Sequence, residues 1–240
     1  MMRGLLIAIG FLTRIPVPAD GFGDPQARSR SLLWYPLVGL LIGALLYALA
    51  WAAHGWPPML SSAMVLVAWV AVTGALHLDG LADSADAWIG GLGDRERTLA
   101  IMKDPRCGPA GVVALVLVLL LKFAALASVP VSLGLLLAPL LGRAVLTVAF
   151  LTTPYVRSGG LGSGLMDAPR VACLGMLALV ALGCVVTGWR SVLALTVAML
   201  VVALWRRAGM QRLGGMTGDT CGALTELTEA AVLVALAASA

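Results

Sequence analysis

Three aspartates at helical spacing are the residues of this chain best suited to chemistry. Asp79, Asp83 and Asp86 lie where a long apolar segment ends, in the stretch His-Leu-Asp-Gly-Leu-Ala-Asp-Ser-Ala-Asp over 77–86. Offsets of four and seven residues bring all three onto one face of a helix. Carboxylate oxygens are hard ligands that suit Mg²⁺, so the pattern predicts a magnesium site at the reaction centre. The alternative is a solvated helix end, but three aligned carboxylates repel one another unless a cation compensates them.

A second acidic stripe lies near the C-terminus. Asp219 and Glu226 are seven residues apart, and Glu229 follows three residues later, at the start of an apolar segment. A charge buried in a membrane is costly unless it is paired or bound to a metal. The stripe therefore predicts either further metal ligands or an ion-paired helix interface. In the second case Glu226 and Glu229 would pair with Arg206 or Arg207.

Basic residues suited to phosphate binding lie between these two acidic groups. Arg95, Lys103 and Arg106 fall in one polar loop, next to a further carboxylate at Asp104. Phosphate chemistry needs both charges, because acids hold the metal and bases hold the phosphate oxygens. Each of these cations can also serve only as a topology signal.

Other polar residues carry weaker signals. Lys122 and Arg143 lie inside apparent spans, where we expect Lys122 to snorkel to the interface and Arg143 to face a polar cavity. We interpret His77 as a neighbour of the acidic cluster rather than as a ligand or base. The glycine-rich loop over 159–164 is a weak signal, and the four cysteines lack metal-ligand spacing and are interpreted as packing residues.

The composition identifies the class of protein that carries these residues. Of 240 residues, 60% are hydrophobic and only 12% are charged, and the mean hydropathy is +0.99. A soluble domain has about a quarter of its residues charged, so this composition predicts an all-α polytopic membrane protein. The net charge of +4 does not indicate nucleic-acid binding, since the basic residues lie in loops between spans.

Apolar runs and the polar segments between them predict one membrane-embedded domain over 1–240. We expect about six or seven transmembrane helices of roughly 20 residues each, preceded by an interfacial or re-entrant helix that ends at Pro16. The predicted spans cover 32–53, 58–78, 110–129, 133–151, 171–188 and 191–205, followed by a last helix, with short turns at His54 and Pro130. Polar loops that could form an active site cover 79–109, 152–170 and 206–222.

Charge distribution sets the orientation of these spans. Nearly all Lys and Arg of the loops fall on one side, which the positive-inside rule makes cytoplasmic. All 12 Asp and Glu residues fall on that same face, which the rule does not require. Acids and bases gathered at one face indicate an assembled site.

The residues also match a known pattern over nearly the whole chain. The matching segments are 11–16, 79–86, 101–106, 154–157 with 160–162, Gly218-Asp219, and Glu-Leu-Thr-Glu over 226–229. Taken together in this order, they resemble the cobalamin synthase family, whose members are adenosylcobinamide-GDP ribazoletransferases.

The resemblance implies a reaction, a location and a set of roles. The reaction transfers the adenosylcobinamide phosphate group from adenosylcobinamide-GDP to α-ribazole or its 5′-phosphate and releases GMP, at the cytoplasmic face of a bacterial inner membrane. The implied Mg²⁺ ligands are Asp79, Asp83 and Asp86, with Asp219 and Glu226 completing the site or binding a second ion. The implied substrate-binding residues are Arg95, Lys103, Arg106, Arg143 and Arg157, and Asp104 or Glu229 would accept the hydroxyl proton. The expected partners are these small molecules and the lipid bilayer, with homo-oligomerisation left open.

Two other classes of protein compete with this interpretation. A CDP-alcohol phosphotransferase or a membrane prenyltransferase also places spaced aspartates at helix ends to bind Mg²⁺ and a diphosphate. The first usually carries Asp-Gly-x-x-Ala-Arg, and here Asp83 stands in place of that arginine. A transporter would place charges near the bilayer midplane and often contains an internal repeat, and neither is evident.

Overall fold

The computed structural model describes residues 2–18, 22–129, 132–157 and 162–240. The turn expected at Pro130 and residues 159–161 of the glycine-rich loop therefore lie outside the described residues. In these ranges the chain forms eleven α-helices. They are α1 Met2–Leu12, α2 Pro25–Ser31, α3 Tyr35–Ala52, α4 Pro58–Thr73, α5 Leu76–Gly90, α6 Arg95–Ile101, α7 Pro109–Ser128, α8 Gly134–Thr152, α9 Arg170–Val186, α10 Trp189–Leu213 and α11 Gly218–Ala238.

The lengths of these helices confirm the all-α polytopic class. Among the described residues, five helices are long and apolar enough to cross a membrane, or up to six if the bent pair α4 and α5 is one span. The 17-residue α9 is also apolar but shorter. The N-terminal α1 is a short apolar helix that buries Ile7, Ala8 and Leu12.

The expected span over 58–78 differs from the structure in a way that matters for the site. Helix α4 ends at Thr73, and α5 begins at Leu76 after a bend of 88°. The bend arises because Gly74 and Ala75 both take the left-handed conformation, with φ of 61° and 57°, which ends an α-helix. Residues 79–90, expected as the start of a polar loop, therefore belong to α5, and its three aspartates are helical as their spacing predicted.

The segment after α1 holds this bend in place. The Arg14 backbone N–H donates to the Val72 carbonyl at 2.7 Å. A Cβ on Gly74 would meet the Arg14 side chain, and the positive φ at this position also favours glycine.

Small residues bring the central helices close together. On α3, a Cβ at Gly39 or Gly43 would lie 2.3 Å from the Pro139 carbonyl or 2.7 Å from the Leu135 carbonyl of α8. Glycines four residues apart let helix backbones approach in the way that membrane helices commonly use. Helix α8 is accordingly the most buried of the candidate spans, and α11 packs beside it.

Helix α10 is longer than the sequence indicated. The span expected over 191–205 is part of a helix that continues to Leu213 and ends at Gly214, where φ is 73°. The loop expected from residue 206 is therefore reduced to a short turn before α11. Thr217 caps α11 by accepting from the Thr220 N–H, and the Thr220 hydroxyl accepts from the Thr217 N–H in return.

Candidate active site

The N-terminal ends of α5 and α11 meet at two glycines. A Cβ on Gly80 of α5 would lie 2.6 Å from the Asp219 carbonyl oxygen, and one on Gly222 of α11 would lie 3.1 Å from the His77 carbonyl. Because neither position carries a side chain, the two backbones touch there. This contact places Asp79, at the start of α5, next to Asp219, at the start of α11.

A short backbone pairing brings a cation to the same place. After α8, the Val156 N–H donates to the Met216 carbonyl, and the Met216 N–H donates to the Pro154 carbonyl, each at 2.9 Å. Gly215 permits this pairing, since a Cβ there would lie 2.3 Å from the Pro154 carbonyl. Arg157 follows directly, and its guanidinium donates to the Asp219 carboxylate at 3.0 Å.

These residues line a cavity of about 400 Å³ that we call the main cavity. Asp79, Asp219 and Arg157 supply its charges. Its remaining walls are largely apolar and aromatic, formed by Phe11, Tyr35, Leu76, Leu146, Phe150, Tyr155 and Leu165 together with His77, Cys221 and several glycines. Burial raises the pKa of the Tyr155 phenol, so this group stays protonated and able to donate a hydrogen bond. A mostly apolar cavity with a few convergent charges is the usual form of a small-molecule site.

Asp83 lies beside this group, one turn after Asp79 on α5. Its carboxylate is partly buried, and the negative charges of Asp79, Asp219 and Asp86 act on it against the single positive charge of Arg157. Carboxylates crowded in this way are stable together only when protonated or when a cation compensates them.

The donor set of the main cavity fits a magnesium ion. Among the described residues no three His, Cys, Asp or Glu side chains already converge as a metal centre. Mg²⁺ commonly takes only one or two carboxylates and completes its shell with water and substrate phosphate oxygens. Asp79 and Asp219 of the cavity, and Asp83 beside it, supply hard oxygen donors of this kind. The predicted cofactor therefore agrees with the chemistry of the site, and it stays a prediction.

Asp86 has a different contact from the other two aspartates of α5. Its carboxylate accepts from the Gly108 N–H at 2.6 Å and from the Gly111 N–H at 2.9 Å. These groups begin α7, so Asp86 caps that helix from a neighbouring element. A Cβ at Gly108 would lie 2.6 Å from this carboxylate, so glycine is what lets it approach. The role of Asp86 as a metal ligand stays a prediction that this capping contact does not favour.

The predicted phosphate-binding residues lie in separate places. Lys103 lines a second, smaller cavity, together with Arg157 and Asp219. Arg95 donates to the Leu213 carbonyl at 2.8 Å and so caps the end of α10. Arg106 forms a bidentate pair with Asp104 at 2.7 and 2.9 Å, and the arginine side chain is 86% exposed. Hydrogen bonds from Arg106 lower the pKa of Asp104 to about 2, which makes it a weak proton acceptor at neutral pH.

Four charged side chains form a buried ion network below the main cavity. Lys122 of α7 contacts Glu226 at 2.6 Å and also Glu229, both on α11, and Glu229 pairs with Arg143 of α8. All four side chains are at most 5% exposed. Two positive and two negative charges balance, so each buried charge has a partner.

This network differs from the expected position of Lys122 and from the expected partners of Glu226 and Glu229. Lys122 does not snorkel to the interface but lies in the interior, with its ammonium 4.7 Å from the centre of the Trp69 ring. Glu226 and Glu229 do not pair with Arg206 or Arg207, and the Arg206 guanidinium donates instead to the Thr152 carbonyl. The predicted roles of Glu226 as a metal ligand, Glu229 as a base and Arg143 in substrate binding stay predictions, which this fully paired arrangement does not favour.

Comparison with known proteins gives the family. The family described as Cobalamin-5-phosphate synthase matches residues 4–237. The chain belongs to this family. No solved structure matches the chain.

Curated relatives of this cobalamin-5-phosphate synthase family member cover the same length. A protein of Stutzerimonas stutzeri is 56% identical over 98% of both chains, and one of Pseudomonas aeruginosa is 55% identical over 98% of both chains. A third, from Pseudomonas fluorescens, is 55% identical over 98% of this chain and 99% of its own length. Each of the three is named adenosylcobinamide-GDP ribazoletransferase.

The residues that position the site gave only a weak signal in the sequence. Gly80 and Gly222 set the contact between α5 and α11, and Gly215 admits the pairing that carries Arg157. Isolated glycines inside an apolar helical pattern were the available signal, since they often mark close backbone approach. Tyr155, which lies in the matching segment 154–157, lines the main cavity.

Proposed function

We propose that the chain transfers the adenosylcobinamide phosphate group from adenosylcobinamide-GDP to α-ribazole or α-ribazole 5′-phosphate and releases GMP. The observation that carries the proposal is the meeting of Asp79, Asp219 and Arg157 in one cavity of a chain from this family. The family match disfavours the alternatives considered above, which were a CDP-alcohol phosphotransferase, a prenyltransferase and a transporter.

The charges of the main cavity suit a diphosphate donor. In this transfer a ribose hydroxyl attacks the phosphorus bonded to the corrinoid side chain, the bond to the GMP oxygen breaks, and GMP leaves with the electron pair. Mg²⁺ held by Asp219 and by one of Asp79 and Asp83 would neutralise the negative charge that develops on the phosphate oxygens. Arg157 faces the cavity while it holds Asp219, so it both orients a ligand and adds a fixed positive charge.

The attacking hydroxyl must lose a proton to a nearby carboxylate. Asp104 points outward in a pair with Arg106, and Glu229 is buried against two cations, so neither lines the main cavity. We propose that Asp79, which lines the main cavity, or Asp83 beside it accepts this proton, whichever of the two does not bind the metal.

We further propose that the chain lies in a bacterial inner membrane with the main cavity open to the cytoplasm. Most Lys and Arg residues of the chain lie in the loops and helix ends of segments 14–30, 95–106, 157–170 and 206–212. Such residues are retained on the cytoplasmic side. Homo-oligomerisation stays a prediction.

The test compares substitutions of Asp79 and Asp167 in the purified, lipid-reconstituted chain. Adenosylcobinamide-GDP and α-ribazole are supplied with and without Mg²⁺, and cobalamin and GMP are measured. Asp79→Asn is expected to lower turnover about 100-fold or more. Asp167→Asn, at an exposed position outside both cavities, is the control and should retain turnover. Near-normal, Mg²⁺-independent turnover by Asp79→Asn would remove the basis of the proposal.

A further inference from the structure

A second cavity adjoins the main cavity and shares its central ion pair. This small cavity has a volume of about 120 Å³ and is lined by Leu99, Met102, Lys103, Val156, Arg157, Thr217 and Asp219. Arg157 and Asp219 also line the main cavity. The pair they form at 3.0 Å therefore stands between the two spaces, and a ligand that extends past it could reach both.

Lys103 is the cation that belongs to the small cavity alone. It lies in the turn after α6, which is held by hydrogen bonds from the Lys103 N–H to Ala100 and from the Asp104 N–H to Ile101. The adjacent carboxylate of Asp104 is held by Arg106. Within the described parts of the chain Lys103 forms no ion pair, so its ammonium is available to an anion.

The N-terminal end of α11 forms another wall of the small cavity and also favours an anion. Thr217 is the N-cap of the 21-residue α11, and the positive end of a helix dipole favours a nearby anion. Arg157 and Asp219 neutralise each other as an ion pair, so the charge of Lys103 and the N-terminal end of α11 leave the small cavity with a positive character.

Size and charge select one part of the substrates. A space of about 120 Å³ is well below the several hundred Å³ of pockets that hold drug-sized ligands, so it suits a phosphate group and excludes a nucleoside or a corrinoid. Neither phosphate of the donor is terminal, because one is esterified to the corrinoid side chain, the other to guanosine, and the two are joined to each other. A terminal phosphate monoester occurs only on a phosphorylated acceptor and on the released GMP, whose phosphate forms at the main cavity.

We propose that the small cavity binds the terminal 5′-phosphate of α-ribazole 5′-phosphate, with Lys103 as the residue that selects the phosphorylated acceptor. The proposal rests on the proposed function and deepens it. It agrees with the family description, which specifies a cobalamin 5-phosphate product, although the relatives are named for ribazole alone.

The test measures KM for α-ribazole 5′-phosphate and for α-ribazole in the full-length, Mg²⁺-supplied chain. In Lys103→Met the ratio of the first KM to the second should rise about 10- to 100-fold, because a charge-assisted hydrogen bond to the phosphate is lost. Lys103→Arg should restore most of the ratio. Arg97→Met removes a positive charge from the exposed face of α6, away from both cavities, and should leave the ratio at the wild-type value.

Several results would overturn the proposal. They are an equal rise of both KM values in Lys103→Met, a change confined to the donor KM or to inhibition by GMP, and an effect of Arg97→Met as large as that of Lys103→Met. Failure of the wild-type chain to use either acceptor would instead contradict the proposed function itself. Lys103 lies on an exposed turn, so its variants should fold. Thermal unfolding of each variant checks this and separates loss of binding from loss of folding.

Discussion

At the scale of single residues, identical side chains on one helix have different tasks. Asp83 lies among three other carboxylates, whereas Asp86 accepts two backbone N–H groups at the start of α7. A carboxylate held by hydrogen bonds stabilises the fold, and one crowded by like charges opposes it unless a cation binds. Function and stability should therefore separate between these two positions.

We expect Asp83→Asn and Asp86→Asn to change the free energy of unfolding in opposite directions. Without Mg²⁺, Asp83→Asn should keep or raise the free energy of unfolding, because repulsion between carboxylates is relieved. With Mg²⁺ supplied, the same variant should lose most turnover. Asp86→Asn should lower the free energy of unfolding by about 1–3 kcal/mol, since an amide offers one acceptor oxygen where two are needed. Chemical unfolding and turnover in the same detergent measure both effects. Equal destabilisation by the two variants would contradict the separate tasks.

At the scale of helices, the site depends on how closely α5 and α11 approach. Gly80 and Gly222 allow the contact, and the buried ion network ties α11 to α7 and α8 just below it. Packing and ion pairing thus hold the same helices by independent means.

Gly80→Ala tests the packing. The added Cβ would meet the Asp219 backbone at 2.6 Å, so the helices must separate and Asp79 must move away from Asp219. We expect turnover to fall about 100-fold, as misplacement of about 1 Å can cause. Gly175→Ala on α9, where a Cβ would meet nothing within 4 Å, should retain turnover and unfold no more easily. Full turnover by Gly80→Ala would show that this contact does not position the site.

Lys122→Met tests the ion network. Loss of Lys122 leaves two glutamates with one cation in the interior, which should cost about 3–5 kcal/mol of the free energy of unfolding. Lys122→Met combined with Glu226→Gln leaves Arg143 paired with Glu229, so the double variant should be more stable than the single one. A double-mutant cycle by chemical unfolding gives the coupling, and strictly additive losses would argue against a coupled network.

At the scale of the whole molecule, charge distribution implies one orientation in the membrane. The basic loops and the main cavity lie at one end of the bundle, and the uncharged turn at 53–57 joins α3 to α4 at the other. Cys107, before α7, is exposed, whereas Cys173, Cys184 and Cys221 are buried. The chain therefore carries one natural reporter of sidedness.

A membrane-impermeant maleimide should label Cys107 in inverted inner-membrane vesicles and leave it unlabelled in intact spheroplasts. Desolvation and the charges of Asp86, Asp83 and Asp79 raise the pKa of this thiol, so labelling should speed up as the pH rises above neutral. Gly55→Cys in a Cys107→Ser background, placed in open space, should show the reverse sidedness. Labelling of Cys107 from outside the cell would invert the proposed orientation.

The membrane class, the helical character, the acidic and basic groups and the family follow from hydropathy, residue spacing and motif order, which are properties of the chain alone. Which charges meet depends on how the helices pack. Asp86, Glu226 and Glu229 have the same chemistry and helical spacing as the residues of the main cavity, and their partners, Gly111, Lys122 and Arg143, lie on other helices. Spacing places a carboxylate on a helix face, but the packing of neighbouring helices settles whether that face meets a cation, an N–H group or a cavity.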